Sequence, residues 1–197
     1  MAKVVVINHV TLDGVMQAPA RPDEDTRDGF AHGGWAAARN DPAMAAKIGE
    51  RMPAGGALLL GRRTYEDFYS VWPQRTDNPF SEALTKARKY VVSRTLTEPL
   101  PWSKSILLEG DAADAVAGLK EQPIEGVTIF GSGELIRSLM AADLIDAYLL
   151  MIHPLVLGSG RRLFPPGHHS RLRLVDSTST ATGVLMASYE SLGRRRL

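Results

Sequence analysis

The chain has no cysteine. That excludes disulfide bridges, a thiolate nucleophile and cysteine-based zinc sites, and it fits a reducing compartment. A surplus of charge is missing too. Lys plus Arg number 23 against 22 Asp plus Glu, a formal net charge of +1, so no overall basic field invites nucleic acid. Nor is there a long apolar run: Ile145–Ile152 carries Asp146 inside it and falls well short of the roughly 20 residues that cross a bilayer. Met1-Ala2-Lys3 leads directly into Val4-Val5-Val6-Ile7, without the longer apolar core and cleavage site of a secretory leader, so a cytoplasmic protein is expected. The histidines do not replace the missing cysteines. His168 and His169 are adjacent, so their rings diverge, and neither they nor His153 have a spaced carboxylate to complete a set; no metal is expected. No repeat or linker divides the chain. Its 197 residues, 44% hydrophobic and 23% charged, suffice for one buried core, and a single domain over 1–197 is expected.

What is present is a set of apolar strands that run into glycine turns. Ala57–Leu60 has no polar alternation, which suits a strand buried on both faces of a parallel sheet. Gly61-Arg62-Arg63-Thr64 follows, with Thr64 expected to cap a helix and Asp67 to complete a capping-box-like pair. Backbone N–H groups and guanidinium groups would then meet at one strand end, where open α/β sheets bind ligands and where a phosphate suits the arginine fork. The alternative is a solvated basic pair on a surface loop. Val127–Phe130 repeats the pattern. It leads into Gly131-Ser132-Gly133 and a helix with Leu135, Ile136, Leu139 and Met140 at helical spacing. Ile136 stands where a full dinucleotide fingerprint has its third glycine, and a plain tight turn is the alternative reading. Gly158-Ser159-Gly160 leads into Arg161-Arg162-Leu163-Phe164-Pro165-Pro166 rather than a helix, and reads as a loop.

Further helices are expected where Asp41-Pro42, Asn78-Pro79 and Asp111 with Asp114 supply caps. They would turn Met44, Ala45 and Ile48, then Phe80, Ala83, Leu84 and Ala87, then Ala115, Val116 and Leu119 inward. Strands at Tyr90–Val92 and Ile106–Leu108 complete an alternating β/α order, hence a mainly parallel sheet. From Ile145 onward the pattern changes to strands alone. Arg171–Val175 and Val184–Tyr189, separated by the polar Asp176–Gly183, read as an antiparallel edge. Gln17–Arg39, with Pro19, Pro22, Gly29, Gly33 and Gly34, has no period and reads as a long, functional loop.

Taken in order, Val4–Asn8, Thr11-Leu12-Asp13-Gly14, Gly61–Glu66, Tyr90–Thr95, Phe130–Leu135 and Ile145–Phe164 resemble the dihydrofolate reductase-like superfamily, most closely its riboflavin-biosynthesis reductase branch. The resemblance implies an α/β fold with a mainly parallel sheet flanked by helices and a C-terminal antiparallel hairpin. It implies an NADPH-dependent reductase acting on a small polar heterocycle, and relatives are often dimers. Gly61, Arg62, Arg63 and Thr64 would meet the 2′-phosphoadenosine and pyrophosphate end. Ser93, Arg94 and Thr95 would lie beside the adenosine, and Gly131, Ser132, Gly133, Glu134 and Leu135 under the pyrophosphate and nicotinamide ribose. Relatives often have Gly-Gly, with a cis bond, where this chain has Gly131-Ser132.

Asp13 has two readings. Asp-Gly is a common turn, with the aspartate bonded to nearby backbone. By resemblance its carboxylate would instead orient substrate or supply a proton at the nicotinamide end. The carboxylate that dihydrofolate reductases carry on the first long helix is not matched here: the chain offers Asp41 and Glu50 near that helix, and Asp41 is better explained as a cap. His32, Trp35, Tyr65 and Trp72 could wall a substrate site by stacking on a flat ring, or could be plain core; Trp35 and Tyr65 are the substrate-binding candidates. A non-catalytic ligand-binding module of the same fold is the alternative function.

Overall fold

The computed structural model describes residues 1–52, 56–76 and 79–193. The strands are β1 (Lys3–Thr11), β2 (Ala57–Gly61), β3 (Lys89–Val92), β4 (Ser105–Leu108), β5 (Gly126–Phe130), β6 (Ala147–His153), β7 (Leu172–Ser179) and β8 (Leu185–Ser191). The helices are α1 (Pro42–Arg51), α2 (Arg62–Val71), α3 (Pro79–Lys86), α4 (Ala112–Lys120) and α5 (Gly133–Ala141). The sheet order is β4-β3-β2-β5-β1-β6-β8-β7. The chain groups into two compact units, Met1–Val5 with Met52–Ile145 and Val6–Arg51 with Asp146–Leu197.

The first unit is the parallel one. β2 pairs in parallel with β3 on one side and with β5 on the other, and β3 pairs in parallel with β4. Every residue of β5, and all of β2 up to Leu60, is buried. That follows from their unbroken apolar runs, because crossover helices cover both faces of such strands. α5 buries Leu135, Ile136, Leu139 and Met140, the expected stripe. Asp111 caps α4, its side chain accepting from the Ala113 and Asp114 N–H groups, and Val116 and Leu119 point inward. Leu84 of α3 is fully buried but Ala83 is exposed. The cap expected at Asn78 lies outside the described residues.

The second unit is antiparallel. β6 pairs with β8 and β8 with β7. β7 is longer than its sequence suggests: Asp176 to Ser179 pair with Ser188 to Leu185 after a bulge between Leu174 and Asp176. The polar run belongs to the strand because β7 is the sheet edge and is largely solvated. Backbone pairing there needs no apolar face. The connection is reduced to a turn closed by Thr180 and Val184, whose backbones bond at 2.9 Å. In α1, Asp41 Oδ1 accepts from the Ala43 N–H at 2.9 Å, and Met44 is buried. Ala45 turns outward, because Met44 and Ile48 share the other face. Lys47 of α1 reaches Asp176 of β7 at 2.6 Å. The Arg194-Arg195-Arg196 run lies outside the described residues.

Candidate active site

The order β3-β2-β5 brings three of the sequence candidates side by side at the carboxyl ends of neighbouring parallel strands. Ser93 follows β3, Gly61 ends β2 and Gly131 follows β5. Open α/β sheets bind ligands at such ends.

Two of these turns are tied to each other. The Ser132 N–H donates to Thr64 Oγ1 at 2.9 Å, and the Gly61 N–H donates to Ser132 Oγ at 3.1 Å. This corrects the expectation for Thr64. The N-cap of α2 is Gly61, which makes no side-chain cap bond, and the helix begins at Arg62 directly from the strand. Thr64 therefore lies inside the first turn, and its hydroxyl serves the neighbouring turn instead of its own helix. Gly131 and Ser132 both have φ of +53°. A left-handed serine costs about 1–2 kcal/mol, which the two bonds help offset. A Cβ on Gly131 would sit 3.1 Å from Thr64 Oγ1, so glycine is demanded there by both backbone and space. The Gly131–Ser132 bond is trans; the cis bond among the described residues is Glu98–Pro99.

The tie also uses up two of the backbone donors at these turns. The Gly61 and Ser132 N–H groups are taken by side chains, whereas the N–H groups of Gly133 to Leu135 precede the first intrahelical bond of α5, from Ile136 to the Ser132 carbonyl. The Leu135 side chain is only 5% exposed, so its contribution to a ligand is limited to backbone. Glu134 pairs with Arg137 at 3.0 Å. Arg62 and Arg63 occupy the first turn of α2, which contains no acidic residue. Cations at a helix N-terminus oppose the macrodipole by about 0.3–1 kcal/mol each. Glu66, 3.4 Å from Arg62, answers only one of them, and an anion would reverse the sign of the rest. After β3, Ser93 is buried and its Oγ accepts from the Thr95 and Leu96 N–H groups at 3.1 and 3.0 Å, leaving Arg94 and Thr95 exposed.

Tyr65, a substrate-wall candidate, is core. It is 1% exposed, and its hydroxyl accepts from the Trp102 N–H at 2.9 Å. Trp72 packs edge-on against Phe68 and Phe80, and His32, which is exposed, packs edge-on against Phe30. Lys89, invisible as a feature of the sequence, is fully buried beneath the Trp102 ring, 4.4 Å from its centroid. Burial pushes its pKa down to about 8. Its ammonium donates to the carbonyls of Thr85, Ala87 and Ser103, so it staples the chain and has no proton free for chemistry.

In the second unit Asp13 is a brace. Thr11 Oγ1 donates to its Oδ1 at 2.6 Å, the Leu157 N–H to Oδ1 at 3.2 Å and the Gly158 N–H to Oδ2 at 2.9 Å. Arg162 lies 3.7 Å away. The Thr11 bond, with the two backbone donors, holds its pKa down to about 2. A carboxylate so held carries no proton at neutral pH, which removes proton supply from the roles expected of it. What it does is fasten the turn after β1 to the Gly158-Ser159-Gly160 loop. Gly14 provides the turn with φ of +81°.

Trp35 is 9% exposed, its Nε1 donating to the Gln17 carbonyl at 2.7 Å. It sits in a small core with Val15, Ala18, Phe30 and Ala36. Its loop is ordered by Gln17, whose side chain bonds the Asp25 and Arg27 carbonyls and the Arg161 N–H. Against Trp35 packs His153, perpendicular at 5.2 Å, and His153 Nε2 lies 2.9 Å from His9 Nδ1. Burial pushes both imidazoles down to about 4, with each other's charge adding for His9 and that of Arg39 for His153. Nothing in the sequence announces this pair, because its members stand 144 positions apart.

The model of the RibD C-terminal domain family matches residues 2–186, and the chain belongs to that family. YyaP of Bacillus subtilis (strain 168) is 28% identical over 137 residues, 67% of this chain and 72% of YyaP. Among solved structures, a Shewanella sp. PV-4 protein named for riboflavin biosynthesis superposes with a TM-score of 0.71 at 24% identity, covering 97% of this chain and 99% of that one. Dihydrofolate reductase of Enterococcus faecalis, solved with NADP(H), gives a TM-score of 0.60 at 15% identity, covering 96% of each chain. The fold is dihydrofolate reductase-like. No helix among the described residues is long and apolar enough to cross a membrane.

Proposed function

We propose that the protein is an NADPH-dependent reductase that transfers hydride to a small planar nitrogen heterocycle of the ribitylamino-pyrimidine or pterin kind. The observation that carries the reading is the row of turns after β3, β2 and β5, with Arg94, Arg62 and Arg63 on two of them. The donor set fits the cofactor. Guanidinium groups match the oxygens of a 2′-phosphate. The carboxylates at these turns, Glu66 and Glu134, are engaged with Arg62 and Arg137, so neither stands ready for an unphosphorylated ribose. When bound, NADPH supplies the hydride. Arg62, Arg63 and Arg94 would hold its adenosine end, and the backbone of Gly133 to Leu135, at the N-terminus of α5, its pyrophosphate. Asp13 is ionised, so the proton that completes the reduction comes from solvent. Membership of the family and the likeness to an NADP(H)-bound reductase support this reading.

Titration with NADPH and NADH tests it. Charge-assisted bonds to the 2′-phosphate favour NADPH by about 1.5–3 kcal/mol, roughly ten- to hundredfold, and Arg62→Ala with Arg94→Ala should erase the preference. Equal dissociation constants in the wild type would overturn the assignment. Loss of NADPH absorbance on adding diaminouracil or folate derivatives separates a reductase from a binding module.

A further inference from the structure

The His9–His153 pair is a buried polar arrangement that the cofactor reading does not use. His9 is on β1, with Ile7 and Thr11 on the same face, and His153 ends β6, the neighbouring strand. The rings lie 5.1 Å apart at 44°, joined through His9 Nδ1 and His153 Nε2. His153 is 0% exposed, and its other nitrogen, Nδ1, is buried without a partner among the described residues. His9 is only partly buried, and its Nε2 makes no hydrogen bond to the described residues.

Two neutral arrangements satisfy the shared bond. In one, His9 Nδ1–H donates, which forces the proton of His153 onto Nδ1. There it would be a buried N–H without an acceptor, the rarest kind of unsatisfied group. In the other, His153 Nε2–H donates, His153 Nδ1 is left as a bare lone pair, and the proton of His9 must sit on Nε2. The nearby positive charge of Arg39 opposes an added proton on His153 and is compatible with that lone pair. The second arrangement therefore prevails, and the orphan nitrogen in the core fixes the proton at the outer edge.

We infer that His9 is a ligand-binding residue. Its Nε2–H, oriented by His153 and by the Trp35 ring behind it, is a fixed neutral donor near the C-terminal end of β1 for a ring carbonyl or ring nitrogen of a planar heterocycle. His153 is its positioning residue. The donor stays neutral under physiological conditions because burial keeps both rings uncharged, so it recognises a lone pair without demanding an anion. The same stretch of chain fixes its surroundings. Leu12 N–H bonds the Leu155 carbonyl at 2.9 Å, and Asp13 bonds the Leu157 and Gly158 N–H groups, so the ends of β1 and β6 are held together one step beyond the histidines.

The choice of a heterocycle rests on the reductase reading; the donor itself does not. Long-range proton–nitrogen NMR on the labelled full chain should find both rings in the Nε2–H form and untitrated between about pH 5.5 and 8. Adding diaminouracil or folic acid, with and without NADP⁺, should shift His9 Nε2. His9→Phe should lose roughly tenfold in affinity for these probes. His9→Gln, whose amide can place an N–H near the same point, should keep most of it, and in His153→Phe, where His9 Nδ1 loses its partner, the His9 ring should lose its fixed Nε2–H form and show a mixture of the two neutral tautomers. A proton found on His9 Nδ1, an unmoved Nε2 with both probes, or wild-type probe affinity in His9→Phe overturns the proposal. NADPH titration run alongside reports the reductase reading separately: a shifted Nε2 in a protein that does not bind NADPH would keep the donor and discard the reductase.

Discussion

Acid should destabilise this protein well before its carboxylates begin to titrate, and the histidine couple is the reason. Both imidazoles fall from an ordinary pKa of 6.5 to about 4 in the folded state. Below pH 6.5 the unfolded chain takes up protons that the folded chain refuses, so stability declines as pH falls and levels off only near the folded value of about 4. Between about pH 7.5 and 5 each group contributes about 2 kcal/mol of loss, about 4 kcal/mol for the pair. That is a large part of the ~5–15 kcal/mol a domain has. Lys89, pushed down to about 8, touches the upper edge of the window and adds little across it. Asp13, Asp25 and Asp176 are held below the ordinary carboxylate value and Lys47 above the ordinary lysine one, so all titrate outside it. Urea unfolding at a series of pH values measures the effect, and the slope should correspond to nearly two protons taken up on unfolding. His153→Gln removes one member and leaves the burial of the other in place, so its slope should fall to about half. Equal wild-type stability at the two pH values, or an unchanged slope in the variant, would refute the burial argument.

Other outcomes follow from the same geometry. Thr64→Val keeps the shape but leaves the Ser132 N–H without its acceptor, and urea melts should show a loss of about 1–3 kcal/mol together with weaker NADPH binding. Gly131→Ala should destabilise by about 1–2 kcal/mol, because its φ is +53° and the new Cβ would press on Thr64; a variant of wild-type stability would mean the turn is slack. Asp13→Ala should release the Leu157–Gly158 segment, seen as faster amide exchange at those two residues. The contribution of Asp13 to stability is present above about pH 4 and lost as pH falls towards 2, so acid melts of wild type and Asp13→Asn should converge there.

Much of the first unit was legible because its signals are local. Continuous apolar runs at Ala57–Leu60 and Val127–Phe130 can be satisfied only by burial on both faces, and the stripe from Leu135 to Met140 has one inward face whatever it packs on. Asp111 and Asp41 cap their helices through bonds that span two or three residues. The order of motifs carried the fold for the same reason. What the sequence could not contain were partners distant along the chain. Thr64 looks like a cap until Ser132, 68 positions away, claims its hydroxyl. Asp13 looks like a catalytic or turn carboxylate until two N–H groups some 144 positions on occupy it. Tyr65 and Trp35 look available until Trp102 and Gln17 bond them into the core. The histidine couple has no local signature at all. Local sequence determines which backbone conformation is cheap, whereas the protonation and availability of a side chain depend on which atoms folding brings within about 3 Å of it, and that only the tertiary structure decides.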